Sequence, residues 1–188
     1  MPNNIMFVRV VPIGRISGKF VAEVCGEAEE FINVRFKILA GMETPRISWN
    51  QMRRQYDAAK IIDILSKNKE AVFIEKGMPS LGITEDDIYY NGLNFVFGIE
   101  EPQTSCLLVS IARLKPEFYK EHPNNMVLRD RAVKEVIHEI GHHIGLDHCI
   151  HPFCVMSFSP SARDVDAKQK DFCKGCRIKL AVRGVNID

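Results

Sequence analysis

Long apolar runs are missing from this sequence. No stretch approaches the roughly 20 residues needed to cross a bilayer. The opening MPNNIMFVRVVPIG has neither a basic leader nor a small-residue cleavage site, so it reads as a first strand and not as a signal peptide. Excess charge is missing too: 25 basic against 24 acidic residues leave a formal net charge of +1. That balance supplies no long-range field for nucleic acid or an anionic membrane, and neither is an expected partner. Cysteine is scarce for a disulfide scaffold, at six in 188 residues, and a chain 46% hydrophobic needs no covalent staples. A reduced, cytoplasmic monomer is expected. Repeats and low-complexity segments are absent as well, which excludes solenoids and disordered chains.

What is present alternates strands with helices. Ile5–Val11 is a continuous β-branched run, the pattern of a strand buried on both faces. Apolar residues from Ile16 to Glu30 recur at helical spacing, Asn33–Leu39 alternates as a half-buried strand, and Arg53–Asn68 is a second helix. Ala71–Ile74 reads as a third strand, Leu81–Tyr90 as an acidic loop whose Glu85, Asp86 and Asp87 form a solvated turn. Leu93–Ile99 and Cys106–Ala112 are close enough for antiparallel pairing. The order predicts an α/β fold with a mostly parallel twisted sheet, flanking helices and an antiparallel edge strand. A long helix follows over Asn125–Ile144. Ser161 to Asp164 has the form of a capping box, so a last helix is expected from Ala162 through Phe172. Residues 1–188 are read as a single domain, with an α/β lobe (1–145) and a smaller, irregular C-terminal lobe (146–188).

The densest chemistry lies in residues 138–176. His138 and His142, four apart on the long helix, share one face and can bind one metal. Gly145 can end the helix in the left-handed conformation and let the chain return with His148. Three neutral imidazoles leave a fourth tetrahedral position for water, as in catalytic zinc, and Glu139 is placed to take that water's proton. A second set, Cys149, Cys154, Cys173 and Cys176, has the spacing of a closed, structural Cys₄ zinc site. A redox Cys-x-x-Cys pair and a nucleic-acid-binding ribbon are its alternatives. The first leaves Cys149 and Cys154 unexplained, and the second lacks a basic surface. His122, His143 and His151 fall outside the ligand pattern, and Cys25 and Cys106 read as buried, inert thiols.

The string His138-Glu139-x-x-His142-x-x-Gly145-x-x-His148-Cys149, with Cys154-Val155-Met156 and Cys173-x-x-Cys176 after it, resembles the archaemetzincins, a family of metzincin zinc peptidases. The segments ARLKPEFY (112–119) and VMSFSPS (155–161) share that resemblance. It implies a metzincin-like fold, two zinc ions per chain (one catalytic, one held by four cysteines) and a non-ligating Met156 beneath the zinc histidines. It also implies that a substrate peptide pairs with an edge strand near Asn94–Gly98. One departure stands out: astacin-like metzincins carry a tyrosine two residues after that methionine, and here the position is Phe158. The expected activity is hydrolysis of peptide bonds in peptide or protein substrates by zinc-bound water, with Glu139 as base. The alternatives are a zinc protein that binds peptides with little cleavage, and a zinc amidase acting on non-peptide substrates.

Overall fold

Alternation along the first strand sets the layers. In β1 (Met6–Ile13) Val8 and Val10 join one buried cluster while Val11 and Ile13 join another, so the strand is covered on both faces. The computed structural model describes residues 5–67 and 78–185, and the strand expected at Ala71–Ile74 lies outside them. β1 is flanked by β2 (Val34–Ile38) and β5 (Ser80–Thr84), both parallel to it. β8 (Cys106–Ser110) continues the parallel sheet, and β7 (Gly98–Glu101) closes it as an antiparallel edge, in the order β2-β1-β5-β8-β7. Three short strands, β3 (Trp49–Asn50), β4 (Gln55–Asp57) and β6 (Ile88–Tyr89), form a second small sheet.

Helix α1 (Gly18–Ala28) and the long helix α3 (Asn125–His143) cover one face, through Val21, Val24, Val133, Val136 and Ile137. Helix α2 (Ala58–Ser66) covers the other, through Ala58, Ile61, Ile62 and Leu65. Each of the three has a side-chain cap at its start, from Ser17, Asn124 and Asp57 respectively. The mostly parallel sheet with one antiparallel edge agrees with the expected class. The α3 side of the core also takes in Val155, Met156, Val165, Phe172 and Leu180 from beyond Gly145.

Three segments differ from the sequence reading. Ser80–Thr84, which overlaps the start of the expected acidic loop at Leu81–Thr84, is the centre of the sheet, and every residue is buried. Gly82 hides it: a Cβ there would lie 2.7 Å from Ile13 Cδ1, so packing demands a residue that looks like a turn. Beyond β5 the acidic residues are only partly exposed, and two of the three are ion-paired. Asp87 takes both arms of Arg113 at 2.8 Å, Glu85 pairs with Lys115 at 2.9 Å, and Asp86 accepts from the Thr44 and Thr84 hydroxyls. In the expected strand Leu93–Ile99, regular pairing begins only at Gly98. The single last helix is two, α4 (Ala162–Ala167) and α5 (Lys174–Val182). Between them the chain extends, so that Gln169 N–H donates to Phe153 O and Val155 N–H to Asp171 O.

An ion-pair cluster ties α1, α3 and this extended segment together. Lys170 reaches Glu27 at 2.6 Å and Asp130 at 2.8 Å, while Lys134 meets Asp130 at 2.7 Å. Burial pushes the Asp130 carboxyl up, but hydrogen bonds from Lys134 and Lys170 outweigh it and hold the group below its ordinary range. A depressed carboxylate stabilises the fold above its unfolded pKa, about 3.9, and that contribution is lost as pH falls through the folded value. Asp130→Asn should therefore lower the melting temperature at neutral pH, and the gap to wild type should close in strong acid. A gap that stays constant would remove the carboxylate's charge as the cause.

Candidate active site and metal centres

Helix α3 buries every residue from Arg131 to Gly141, including the charged Glu135 and Glu139. It ends where Gly145 takes φ +89°. Gly145 N–H then bonds to His142 O at 2.8 Å and Leu146 N–H to Gly141 O at 2.9 Å, a Schellman closure. The turn back brings His148 to His138 and His142, and the three offer ring nitrogens within 4.8 Å of one another. His138 is buried, His142 half-buried and His148 exposed.

Hydrogen bonds fix which nitrogens face inward. His138 Nδ1 lies 2.8 Å from Val155 O and His142 Nδ1 2.8 Å from Leu146 O. A carbonyl oxygen only accepts, so both Nδ1 atoms carry a proton, and both Nε2 atoms are the ones that face inward. Those Nε2 atoms stand 3.1 Å apart. Burial, then the Lys168 charge and His142, hold His138 well below the ordinary histidine range, which keeps it neutral. Two ring nitrogens that converge in this way, each held by a carbonyl on its far side, can share a cation, and imidazole nitrogens suit zinc. The donor set fits that ion.

The four cysteines also converge. Cys149 Sγ is 3.7 Å from Cys173 Sγ, and Cys154 Sγ is 3.7 Å from Cys176 Sγ. A disulfide would need about 2.05 Å. Four thiolates about 2.3 Å from a tetrahedral zinc stand about 3.8 Å apart, which matches. His151 N–H and Cys173 N–H point at Cys149 Sγ and Cys154 Sγ, as backbone donors do toward thiolates. Burial pushes the Cys173 thiol up, but the Cys176 N–H and the neighbouring thiols more than offset it, bringing it to about 7. His151 thus serves this site through its backbone while its ring packs on Phe153. Cys25 and Cys106 are buried apart from both groups, and burial raises the Cys25 thiol to about 12.

Glycines make room at two points the sequence did not single out. A Cβ on Gly141 would overlap Met156 Sδ, so the methionine, fully buried, lies against the helix at a residue between His138 and His142. A Cβ on Gly98 would overlap the Glu139 carboxylate, so the edge strand and that carboxylate touch. Burial, then Glu135, push the Glu139 carboxyl well above the ordinary range, and Lys168 opposes the shift. His143 leaves the ligand cluster and pairs with Glu100 on β7 at 3.3 Å. Around the histidines opens a cleft of about 630 Å³, walled by Leu93–Glu100, Glu135, Phe158 and Lys168. Phe158 stacks its edge on His148, at 5.1 Å between ring centres, and no tyrosine is among the residues that line the cleft.

The model of peptidase family M54 matches residues 5–182. The chain belongs to this family, the archaemetzincins. The archaemetzincin of Methanocaldococcus jannaschii is 42% identical over 185 residues, covering 95% of this chain and 99% of its own length. That of Pyrococcus furiosus is 38% identical over 179 residues, 93% of this chain and 92% of its own. A crystal structure of the archaemetzincin from Archaeoglobus fulgidus complexed with malonate superimposes with a TM-score of 0.77 at 32% identity, over 93% of this chain and 99% of that one. A zinc-dependent peptidase from Methanocorpusculum labreanum reaches a TM-score of 0.83 at 29% identity, over 92% and 99%. The chain is a zinc metallopeptidase.

The Gly141 contact is open to direct test. Gly141→Ala should force Met156 aside and cost about 1–3 kcal/mol, the range for overpacking a filled core. Urea denaturation reads it, and unchanged stability would show that Met156 can move freely.

Proposed function

We propose that the archaemetzincin hydrolyses peptide bonds with Glu139 as its proton carrier, at a catalytic zinc on His138, His142 and His148, and that Cys149, Cys154, Cys173 and Cys176 hold a second, structural zinc. The observation that carries this is the pair of Nε2 atoms 3.1 Å apart beside a buried carboxylate in the cleft. A zinc ion there supplies Lewis acidity, polarising the scissile carbonyl and lowering the pKa of the attacking water.

The chain's own residues do the rest. Residues 93–100 border the cleft and end in the edge strand β7, which among the described residues pairs with β8 alone. An extended peptide adds to such an edge through backbone hydrogen bonds. Because Gly98 has no side chain, a peptide docked there lies next to the Glu139 carboxylate. That carboxylate accepts the proton of the attacking water and returns it to the leaving nitrogen. Its raised pKa makes it a better acceptor for the water's proton than an ordinary carboxylate. Val155 O and Leu146 O hold the two helix imidazoles in register throughout.

The two zincs are coupled in this reading. His148 and Cys149 are neighbours in sequence, and Cys149 N–H bonds to Met156 O at 2.8 Å, so the Cys₄ zinc anchors the third histidine. Glu139→Gln should cut turnover of unstructured peptides by about 10²-fold or more, with zinc content and melting temperature unchanged; wild-type turnover would refute the assignment. Elemental analysis should find two zinc ions in the loaded protein. Cys173→Ser should weaken zinc at the histidine site as well as its own, whereas His138→Ala should leave the Cys₄ zinc in place. Cobalt spectra distinguish the sites, and an unaffected histidine site in Cys173→Ser would show that they are independent.

A further inference from the structure

None of the segment ARLKPEFY (112–119) lines the cleft, and no step of the hydrolysis uses it. Its Arg113 nevertheless reaches the cleft wall. Both arms of Arg113 grip Asp87 at 2.8 Å. The same guanidinium lies over the ring of Phe95, 4.4 Å from its centre, and over that of Phe118 at 4.9 Å. Phe95 lines the cleft and meets Phe97 edge-on at 5.2 Å. The wall is irregular here, since regular pairing begins only at Gly98. Its backbone is held instead from the small second sheet. Arg53 donates to Leu93 O at 2.7 Å and to Asn94 O at 3.3 Å, Gln55 donates to Asn94 O at 2.9 Å, and Val96 N–H bonds to Ile88 O at 3.2 Å. Gln55 also donates to Asp87 at 3.2 Å, which joins the two sets of anchors. On its far side ARLKPEFY is fixed to the helix of the zinc-facing histidines, where Arg131 of α3 donates to Leu114 O at 2.7 Å.

These contacts hold residues 93–97 in one shape, and in one place relative to α3, without a sheet ladder. A peptide docking on a loose wall would have to order it, and each residue fixed costs conformational entropy. A wall already ordered spares the peptide that cost. Arginine suits the task and lysine does not, because the grip on Asp87 needs a two-armed fork and the packing on two rings needs a flat cation. We propose that Arg113 and Arg53 are positioning residues for substrate, which preset the wall at residues 93–98 for an incoming peptide and act neither on zinc nor on the proton transfer. This rests on the peptidase reading above, in which residues 93–100 receive the substrate.

Arg113→Lys keeps a charge beside Asp87 but loses the fork and the stacking. Short mixed-sequence peptides are titrated calorimetrically into the zinc-loaded Glu139→Gln protein, with and without that change. Binding should weaken about 10-fold, the effect of having to order about one freed residue. In the otherwise wild-type enzyme KM should rise by the same factor with kcat unchanged, and chelator competition should find the histidine-site zinc held as before. Half-buried Arg53→Met removes the bonds to Leu93 O and Asn94 O and should act alike; it decides the matter if Arg113→Lys does not fold. Lys115→Met breaks the ion pair to Glu85 in the same segment, away from the wall, and should bind peptide as wild type does. In a Phe95→Ala background Arg113→Lys should weaken binding by no more than about 3-fold, because the ring that carries most of its effect is gone. Wild-type affinity in both arginine variants, an equal loss in Lys115→Met, a weakened histidine-site zinc, a full effect without Phe95, or no binding of any peptide would each overturn the proposal. Failure of the peptidase reading would look different: the arginine variants would still weaken binding while wild-type enzyme left every peptide intact.

Discussion

Two imidazole rings pinned by their outer hydrogens are what the rest of this archaemetzincin depends on. Once Val155 O and Leu146 O each accept a hydrogen bond from an Nδ1–H, the Nε2 atoms of His138 and His142 face each other. Everything nearby serves that arrangement or exploits it. The left-handed Gly145 supplies Leu146 O and returns the chain toward His148. The cysteine loop supplies Val155 O, and the bond from Val155 N–H to Asp171 O holds that loop to the segment leading to Cys173. Ligand orientation is therefore a property of backbone carbonyls, which have far less freedom than side chains.

The electrostatics of the cleft follow from burying so much charge on one helix. Glu135, His138 and Glu139 lie within α3 where it packs on the sheet, and each is under 10% exposed. Desolvation drives the histidine toward neutrality and the carboxyl toward protonation, the forms that cost least in a dry environment. Lys168 opposes the second shift and reinforces the first. A single buried ammonium thereby acts on a ligand and on the proposed proton carrier.

Both side-chain groups that could hold a metal, the long helix and the class of the sheet were legible in the sequence, because each is encoded by local spacing. Four-residue separation places His138 over His142, Asn124 caps the helix, and Gly145 marks its end. What escaped was set by tertiary contact. Ser80–Thr84 looks like a loop because its central residue must be small enough for Ile13 and Leu108 to close over it. The break after Ala167 has no local signal, since the extended backbone there is paid for by bonds to Phe153 and Val155. Lys168 and Glu135 are 33 positions apart, and nothing in either neighbourhood announces that they meet.

Gly98 also guards against misassembly. β7 pairs with β8 so that Gly98 stands opposite Val109, and that register alone brings the missing side chain to Glu139. A slip of one residue would present Phe97 or Ile99 to the carboxylate instead and would turn the strand's faces over. Such a hairpin cannot seat against α3. A chain folded in the wrong register is thus held away from its own active-site helix, and the failure yields an inert protein instead of a peptidase with altered appetite.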